Sequence, residues 1–348
     1  MPTISPPRES VAPPRPARPP LRAAGFVAAV VLLLVVVLLS LMVGARDIPA
    51  ATVWGALLGT DTGTDAEVVI ALRVPRTVVG LLVGAALGVA GALIQAATRN
   101  PLADPGILGV NAGAAFAVAM GVGVLGVRSP SAYVWFAFVG ALVTTVVVYL
   151  IGLVGRGSVS PAQITLAGVA LGAVLSGITS ALLLADPVTF NVIRAWEAGS
   201  FADRGWDVVT ATAPFVALGL GIALWLGPAL NAVALGDDLA RSLGTRVVAT
   251  RVLSLLSITL LAGSATAMAG PIAFVGLMIP HVARWIVGPD QRWILAYSLL
   301  CAPILMVASD VLGRVLLPTG ELQVGIVTAF LGAPVLVILV RRQRVSGL

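Results

Sequence analysis

Long stretches without a charged residue constrain this chain more than any other feature of its sequence. Nine of them approach or exceed the roughly 20 apolar residues that a helix needs to cross a bilayer. They are residues 23–45, 77–98, 105–127, 129–155, 157–185, 208–235, 252–283, 293–309 and 322–340. Because 59% of the 348 residues are hydrophobic and 10% are charged, a soluble globular fold is excluded. The sequence therefore predicts an all-α polytopic membrane protein.

The stretch 252–283 is long for a single crossing and contains Gly270-Pro271, a natural break in a helix. The arginines decide whether it counts once or twice, because cytoplasmic loops carry an excess of positive charge. Ten spans place 14 arginines on the cytoplasmic side and seven outside, whereas nine spans place ten and eleven. We therefore predict ten transmembrane helices with both termini in the cytoplasm.

Two short segments of the chain repeat each other. Residues 101–108 and 271–278 share the pattern P-x-A-x-x-G followed by two aliphatic or methionine residues. With ten spans, the first copy lies near the cytoplasm and the second near the outside. Spans 2–5 and 7–10 are therefore predicted to be inverted repeats, an architecture that is common among transporters.

The rarer residue types narrow the possible functions. Residues 1–22 are rich in Pro and Arg and are predicted to be a disordered cytoplasmic tail, which leaves residues 23–345 as one transmembrane domain. The chain has no lysine, which the P-loop of an ATPase requires. Cys301 and His281 are each the only residue of their type, so no disulfide, metal centre or cofactor site is predicted. The net charge of +6 comes from arginine without interleaved aromatic residues, which predicts membrane orientation and not nucleic-acid binding.

A polar stretch interrupts the apolar chain after span 6. It consists of Leu235, Gly236, Asp237, Asp238, Leu239, Ala240, Arg241, Ser242, Leu243 and Gly244. Its aspartates suit the N-terminus of a short helix, with Arg241 as the i,i+4 partner of Asp237. Gly244 suits a C-terminal cap, and leucines at every fourth position form one apolar face. This pattern leaves two interpretations open, an interfacial connector and a docking helix for a soluble partner.

Three motifs carry a resemblance to a known family. The first is R-V-P-R at 73–76, followed by G-A-L-I-Q at 91–95 and T-R-N-P-L-A-D-P-G-I-L-G at 98–109. The second is the polar stretch, and the third is G-P-I-A-F-V-G-L-M-I-P-H at 270–281, followed by Arg284. Over about residues 70–345 the chain resembles the FecCD-type permeases of binding-protein-dependent ABC importers, which carry iron–siderophores, haem or cobalamin.

The resemblance implies a ten-span permease subunit in the lipid bilayer of the cytoplasmic membrane. Such a subunit pairs with a second permease subunit, identical or related, around a central translocation path. Two cytoplasmic ATPases drive it, and an extracytoplasmic binding protein delivers the substrate, so this chain is not expected to be an enzyme. The loop around 228–250 would carry the coupling helix that binds an ATPase. We expect a ferric siderophore as cargo, with haem and cobalamin as alternatives.

The resemblance also implies roles for individual residues. Arg73 and Arg76 at the outer end of span 2, and Arg314 at the outer end of span 9, are expected to pair with acids on the binding protein. The alternative is that these arginines anchor their helices at the membrane surface. Small residues on span 5 are expected to line the path at the subunit interface and to allow close helix contact. They are Gly168, Gly172, Ser176, Gly177 and Ser180.

Two other classes of protein have to be weighed. Inverted repeats would also suit an ion-coupled secondary transporter, which needs an ionisable residue near the membrane midplane. Asp310 is the one plausible candidate, but Arg314 follows one helical turn later, so an ion pair between them is expected instead. A membrane-embedded enzyme would need a carboxylate pair within the membrane or a second His or Cys, which the sequence does not offer.

Overall fold

The computed structural model describes residues 19–44, 46–153, 161–317 and 319–345, and this part of the chain is helical without a β-strand. The helices are α1 (Pro19–Met42), α2 (Ala50–Leu57), α3 (Thr64–Val68), α4 (Val74–Thr98), α5 (Val110–Gly123), α6 (Pro130–Leu153), α7 (Pro161–Ala185), α8 (Pro187–Glu197), α9 (Trp206–Ala234), α10 (Asp237–Ser242), α11 (Val247–Ala269), α12 (Val275–Val287), α13 (Gln291–Val315) and α14 (Val324–Val345). A π-helical turn, Val69–Arg73, leads into α4, and a 3₁₀ turn, Pro105–Leu108, precedes α5. The predicted all-α fold class is confirmed.

Seven helical segments are long and apolar enough to cross a membrane. They are α1, the segment Thr64–Thr98 that ends with α4, and α6, α7, α9, α11 and α13. Three shorter apolar segments, Val110–Gly123, Val275–Val287 and Val324–Ile338, lie where spans 3, 8 and 10 were predicted. The count of ten therefore stays a prediction. The break at Gly270-Pro271 is confirmed, because α11 ends and α12 begins on either side of it.

Helix α1 begins earlier than the sequence predicts. It includes residues 19–22, which were expected to belong to the disordered tail. Proline is tolerated in the first turn of a helix, where its missing N–H would have no partner, so Pro19 and Pro20 can begin α1. The hydroxyl of Tyr297 in α13 donates to the carbonyl of Arg22 at 2.7 Å and fastens this end of α1. The rest of the predicted tail, residues 1–18, lies outside the described residues.

Helix α4 is the centre of the bundle and packs against α9, α11, α12 and α13. Most of its residues are buried. Glycines permit this close packing, because they let the backbone of a neighbouring helix approach. A Cβ atom on Gly84 would lie 2.5 Å from the Cα of Pro303 in α13, and one on Gly91 would overlap the carbonyl oxygen of Gly276 in α12.

The two repeated segments meet beside α4. A Cβ atom on Gly276 of the second copy would lie 2.9 Å from the Cδ of Pro105 in the first. Gln95 of α4 donates to a carbonyl of α12 at 3.1 Å, and Thr266 of α11 donates to Asn111 of α5 at 3.0 Å. Each long helix of one half therefore binds the short helix of the other half, as expected for two related repeats.

The bundle has two ends, which we name by their polar features. The arginine end holds the start of α4 and the end of α13, where Arg76 and Arg314 meet. The α10 end holds α10, the end of α4 and the start of α11. Helix α8, which the sequence analysis did not predict, follows α7 away from the α10 end. Asp186 caps α8 by accepting from the N–H of Thr189 at 2.9 Å, and Pro187 occupies its first position.

Candidate functional site

The polar stretch forms a short helix, α10, between α9 and α11. Both aspartates lie in its first turn. Gly244 has a positive φ of 80° and its N–H donates back to the last turn, as predicted for a C-terminal cap. Ala240 is buried against α9 and α11, whereas Leu239 and Leu243 are 49% and 61% exposed. The helix therefore presents an uncovered apolar face at the α10 end.

Asp237 ties α10 to two neighbouring helices. Its carboxylate accepts hydrogen bonds from Arg99, which follows α4, and from Arg251 of α11 at 2.9 Å. Arg99 also donates to a carbonyl at the end of α9 at 3.0 Å. The predicted partner, Arg241, lies 3.9 Å from Asp237 and is closer to Asp238, at 2.9 Å. Arg99 and Arg251 approach Asp237 from packed helices on either side, which leaves the outer carboxylate of Asp238 to Arg241.

A buried ion cluster surrounds Asp310 at the arginine end. Arg76 donates to both oxygens of the Asp310 carboxylate, with its shortest contact at 2.8 Å. Arg314 donates to the same carboxylate, which confirms the expected pair within α13. Glu321, which precedes α14, binds Arg76 from the more exposed side at 2.7 Å. Two guanidinium groups therefore neutralise one buried carboxylate.

Arg73 and Arg314 hold the C-terminal end of α1. Arg73 donates to the carbonyl oxygen of Leu41 at 2.8 Å, and Arg314 donates to that of Ser40 at 2.8 Å. The last carbonyls of a helix lack partners within the helix, and a cation there also favours the helix dipole. Both arginines are buried. The three predicted docking residues thus lie together, but Arg76 is the one that also reaches a partly exposed acid, and 16% of its side chain remains exposed.

A cavity of about 440 Å³ lies beside α7. Four of the five predicted path residues line it, namely Gly168, Gly172, Ser176 and Ser180. Asn111 of α5 and Glu197 of α8 complete its polar lining with Thr179. Gly168 is buried where α7 packs against the 3₁₀ turn before α5, so it serves close contact. Gly177 is exposed, and a Cβ atom there would meet no atom within 4 Å, so it lies outside this cavity.

Three charged residues at these sites were missed by the sequence analysis. Arg99 lies within the T-R-N-P motif, but its contact with Asp237 depends on how α4 ends, at a residue with a positive φ of 52°. Arg251 was counted among the cytoplasmic arginines without a partner. Glu197 was overlooked because the helix that carries it, α8, was not predicted. The capping pattern of Asp186 and Pro187 was the signal that could have revealed α8.

Comparison with known proteins gives one consistent family. Residues 32–342 match the model of the FecCD transport family. The ferric enterobactin transport system permease protein FepD of Escherichia coli (strain K12) is 48% identical over 326 residues, which cover 94% of this chain and 97% of that protein. The iron(3+)-hydroxamate import system permease protein FhuB of Bacillus subtilis (strain 168) is 37% identical over 92% of this chain and 83% of that protein.

A solved structure matches over almost the same extent. It is described as a metal-chelate-type ABC transporter in an inward-facing conformation. It superposes with a TM-score of 0.80 at 26% identity, over 92% of this chain and 99% of that chain. The similarity therefore concerns the whole helical bundle and not one of its halves.

Proposed function

This chain belongs to the FecCD transport family, and we propose that the cargo it carries across the membrane is a ferric siderophore. It is the permease subunit of an ABC importer and not itself an enzyme. The relatives FepD and FhuB are named for the transport of ferric enterobactin and iron(3+)-hydroxamate. These names support a ferric chelate as cargo in preference to haem or cobalamin.

The observation that carries the mechanism is the exposed apolar face of α10. Leu239 and Leu243 offer a soluble partner a hydrophobic contact, while the salt bridges of Asp237 hold the helix on the bundle. An ATPase binds this face, and two such ATPases serve the complete transporter. We assign the α10 end to the cytoplasm and expect both chain termini on that side. Closure of the ATPases moves α10, and this movement drives the alternation between outward- and inward-facing states.

A second permease subunit, identical or related, completes the translocation path. The support for this assignment is α7, whose membrane-length stretch is largely unburied within this chain. Its small residues border the 440 Å³ cavity, which is not fully enclosed by this chain. A facing subunit would close the cavity into a path between the two chains.

The binding protein docks at the arginine end. Arg76 makes the direct contact, because it can exchange Glu321 for a carboxylate of the binding protein. Arg73 and Arg314 fix the end of α1, so we assign the anchoring role to these two arginines and docking to Arg76. The ion-coupled alternative loses its one candidate, since Asp310 is clamped by two arginines.

The test of this function is uptake of an iron-labelled tris-hydroxamate chelate into vesicles that hold the permease, its partner subunits and the binding protein. We expect uptake to require internal ATP and to be indifferent to proton or sodium gradients. Uptake by this chain alone, driven by such a gradient, would show that it is a secondary transporter.

The docking surface can be tested separately by measuring the affinity of the binding protein for the reconstituted transporter. Arg76→Ala should weaken it about fivefold, the equivalent of roughly 1 kcal/mol for an exchanged surface ion pair. The effect should shrink as salt rises. Arg46→Ala is the matched control, because Arg46 lies at the same end and pairs with Asp65 at 3.3 Å on the surface. Equal affinities for all three proteins would contradict docking through Arg76.

A further inference from the structure

Glu197 is a charged residue that the sites above leave without a role. It is the last residue of α8 and lines the 440 Å³ cavity beside α7 together with Thr179 and Ser180. It also borders a neighbouring apolar cavity of about 750 Å³ along α14. Its carboxylate therefore stands at the junction of two cavities on the face that we assign to the translocation path.

The Glu197 carboxylate has no hydrogen-bonding or ion-pair partner among the described residues. Arg194, one turn earlier, lies over the ring of Phe190 instead, 5.9 Å from its centroid. The Glu197 side chain borders the cavity and is exposed within this chain, and its partial burial by the cavity walls raises the pKa of Glu197 above its ordinary value. No nearby cation offsets this loss of hydration.

Its place at the end of α8 adds a second unfavourable effect. The C-terminus of a helix carries a partial negative charge, which normally favours a basic residue there. A carboxylate at this position, without a counter-ion, gains nothing from the fold. Such departures from local preference are expected at functional positions, where a ligand supplies the missing interaction.

Two hydroxyl groups of the cavity wall, on Thr179 and Ser180, suit the same kind of ligand. Thr179 donates its hydroxyl proton to the carbonyl of Leu175 at 2.8 Å, and Ser180 donates to that of Ser176 at 2.9 Å. Both hydroxyl oxygens are left as hydrogen-bond acceptors. The wall around Glu197 therefore combines a negative charge with acceptors, which suits a ligand that brings hydrogen-bond donors or positive charge.

We propose that Glu197 selects cargo by charge, so that the path favours ferric chelates with a cationic group and disfavours anionic ones. This inference rests on the proposed function and narrows its cargo. Three hydroxamates around Fe³⁺ give a neutral complex, to which a pendant ammonium group adds positive charge. Three catecholates give a complex with a threefold negative charge, which Glu197 repels. Even in water, two unit charges about 4 Å apart interact by roughly 1 kcal/mol, or about fivefold in binding.

The charge of the cavity can be measured without any chelate. In the assembled transporter with Cys301→Ser, Ser180→Cys would be labelled with a cationic trimethylammonium and an anionic sulfonate methanethiosulfonate. We expect Glu197→Gln to lower the ratio of cationic to anionic labelling rates about fivefold, and Glu197→Asp to preserve it. Glu67→Gln is the matched control, because Glu67 is an exposed acid in α3 that does not border this cavity. An unchanged ratio in Glu197→Gln, or no labelling at Ser180→Cys, would overturn the proposal.

Transport then tests the consequence for cargo. Uptake of ferrioxamine B, a tris-hydroxamate with a free ammonium group, is compared with uptake of its neutral N-acetyl derivative. Within each variant the ratio of the two cancels differences in protein abundance. Glu197→Gln should lower this ratio about fivefold relative to the wild-type chain, whereas Glu67→Gln should not. The same ratio of ferrioxamine B uptake to N-acetyl derivative uptake in Glu197→Gln and in Glu67→Gln would overturn charge selection. Uptake of neither chelate by the wild-type transporter would instead count against siderophore transport, while the labelling result stands by itself.

Discussion

Asp237 accepts hydrogen bonds from arginines on two helices, which places one carboxylate at the meeting point of α4, α10 and α11. Partly exposed ion pairs typically contribute less than about 1 kcal/mol each, so this group is not needed to keep the bundle folded. What it does is fix the position of α10 relative to the two long helices. We therefore interpret Asp237 as the residue through which movement of α10 reaches the bundle.

Asp237→Asn keeps the shape of the side chain and removes its charge. We expect uptake per ATP hydrolysed to fall about fivefold, because α10 is then held less firmly to Arg99 and Arg251. Uptake and hydrolysis would be measured side by side in the same vesicles. Asp238→Asn is the matched control, since the Asp238 side chain is fully exposed and pairs with Arg241 alone. Equal losses in both variants would mean that Asp237 has no special part in transmission.

At the residue scale, the sequence predicted the charges but not their partners. Helical periodicity gave Arg241 as the partner of Asp237, whereas Arg99 reaches Asp237 across 138 positions of the chain. The pair of Asp310 and Arg314 was predictable, because both residues lie on one helix. The burial of Arg73 was not, because it depends on where the end of α1 packs, and no local pattern encodes that position.

The exposed face of helix α10 can be changed without disturbing the packing of the bundle. Leu239→Asp with Leu243→Asp should leave the bundle intact, because both side chains are exposed. We expect uptake to fall at least about tenfold while ATP hydrolysis continues, because two carboxylates in an apolar contact would lose their hydration without gaining partners. Leu125→Asp is the control, an exposed leucine in the connection after α5. Normal uptake by the double variant would show that α10 is merely a connector.

The close packing of helix α4 makes the stability of the protein sensitive to any side chain added at its glycines. Gly91→Ala should lower the thermal stability of the purified protein by the equivalent of about 1–3 kcal/mol, because the added Cβ would overlap the backbone of α12. Gly221→Ala in α9 is the control, since a Cβ atom there meets nothing within 4 Å. It should be neutral or slightly stabilising, as alanine is the better helix former. Similar stability of the two variants would contradict the close contact of α4 and α12.

At the element scale, the apolar stretches located the long helices well. The uncharged stretch 208–235 corresponds to α9, and Gly270-Pro271 marked the start of a new helix. Short elements were harder to predict. Helix α8 has 11 residues of mixed polarity, so hydropathy gave no signal for it. The lengths of α5 and α12 also could not be read from apolar stretches, because the stretch 105–127 runs past both ends of α5, whereas the stretch 252–283 also covers most of α11 and ends inside α12.

The whole molecule has an orientation that the arginine distribution predicts. Asn231 of α9 donates to Asp290, which places the start of α13 at the α10 end. In a Cys301→Ser background, Pro289→Cys should react with impermeant reagents from the cytoplasmic side, and Thr319→Cys from the opposite side. These two exposed positions lie before and after α13, so each is the control for the other. Labelling of Pro289→Cys from outside the cell would reverse the predicted topology.

The glycine contacts along α4 allow this helix to transmit movement as a rigid element. Backbone atoms meet backbone atoms on its faces toward α12 and α13, and such a seam has no side-chain rotamers that could absorb a displacement. Arg99 and Arg76 lie near its two ends, 23 residues apart in the sequence, or roughly 35 Å along the helix. A displacement of Arg99, transmitted through Asp237, would therefore move Arg76 by a similar distance. The nucleotide state of an ATPase on one side of the membrane would then change the affinity of the permease for a binding protein on the other side.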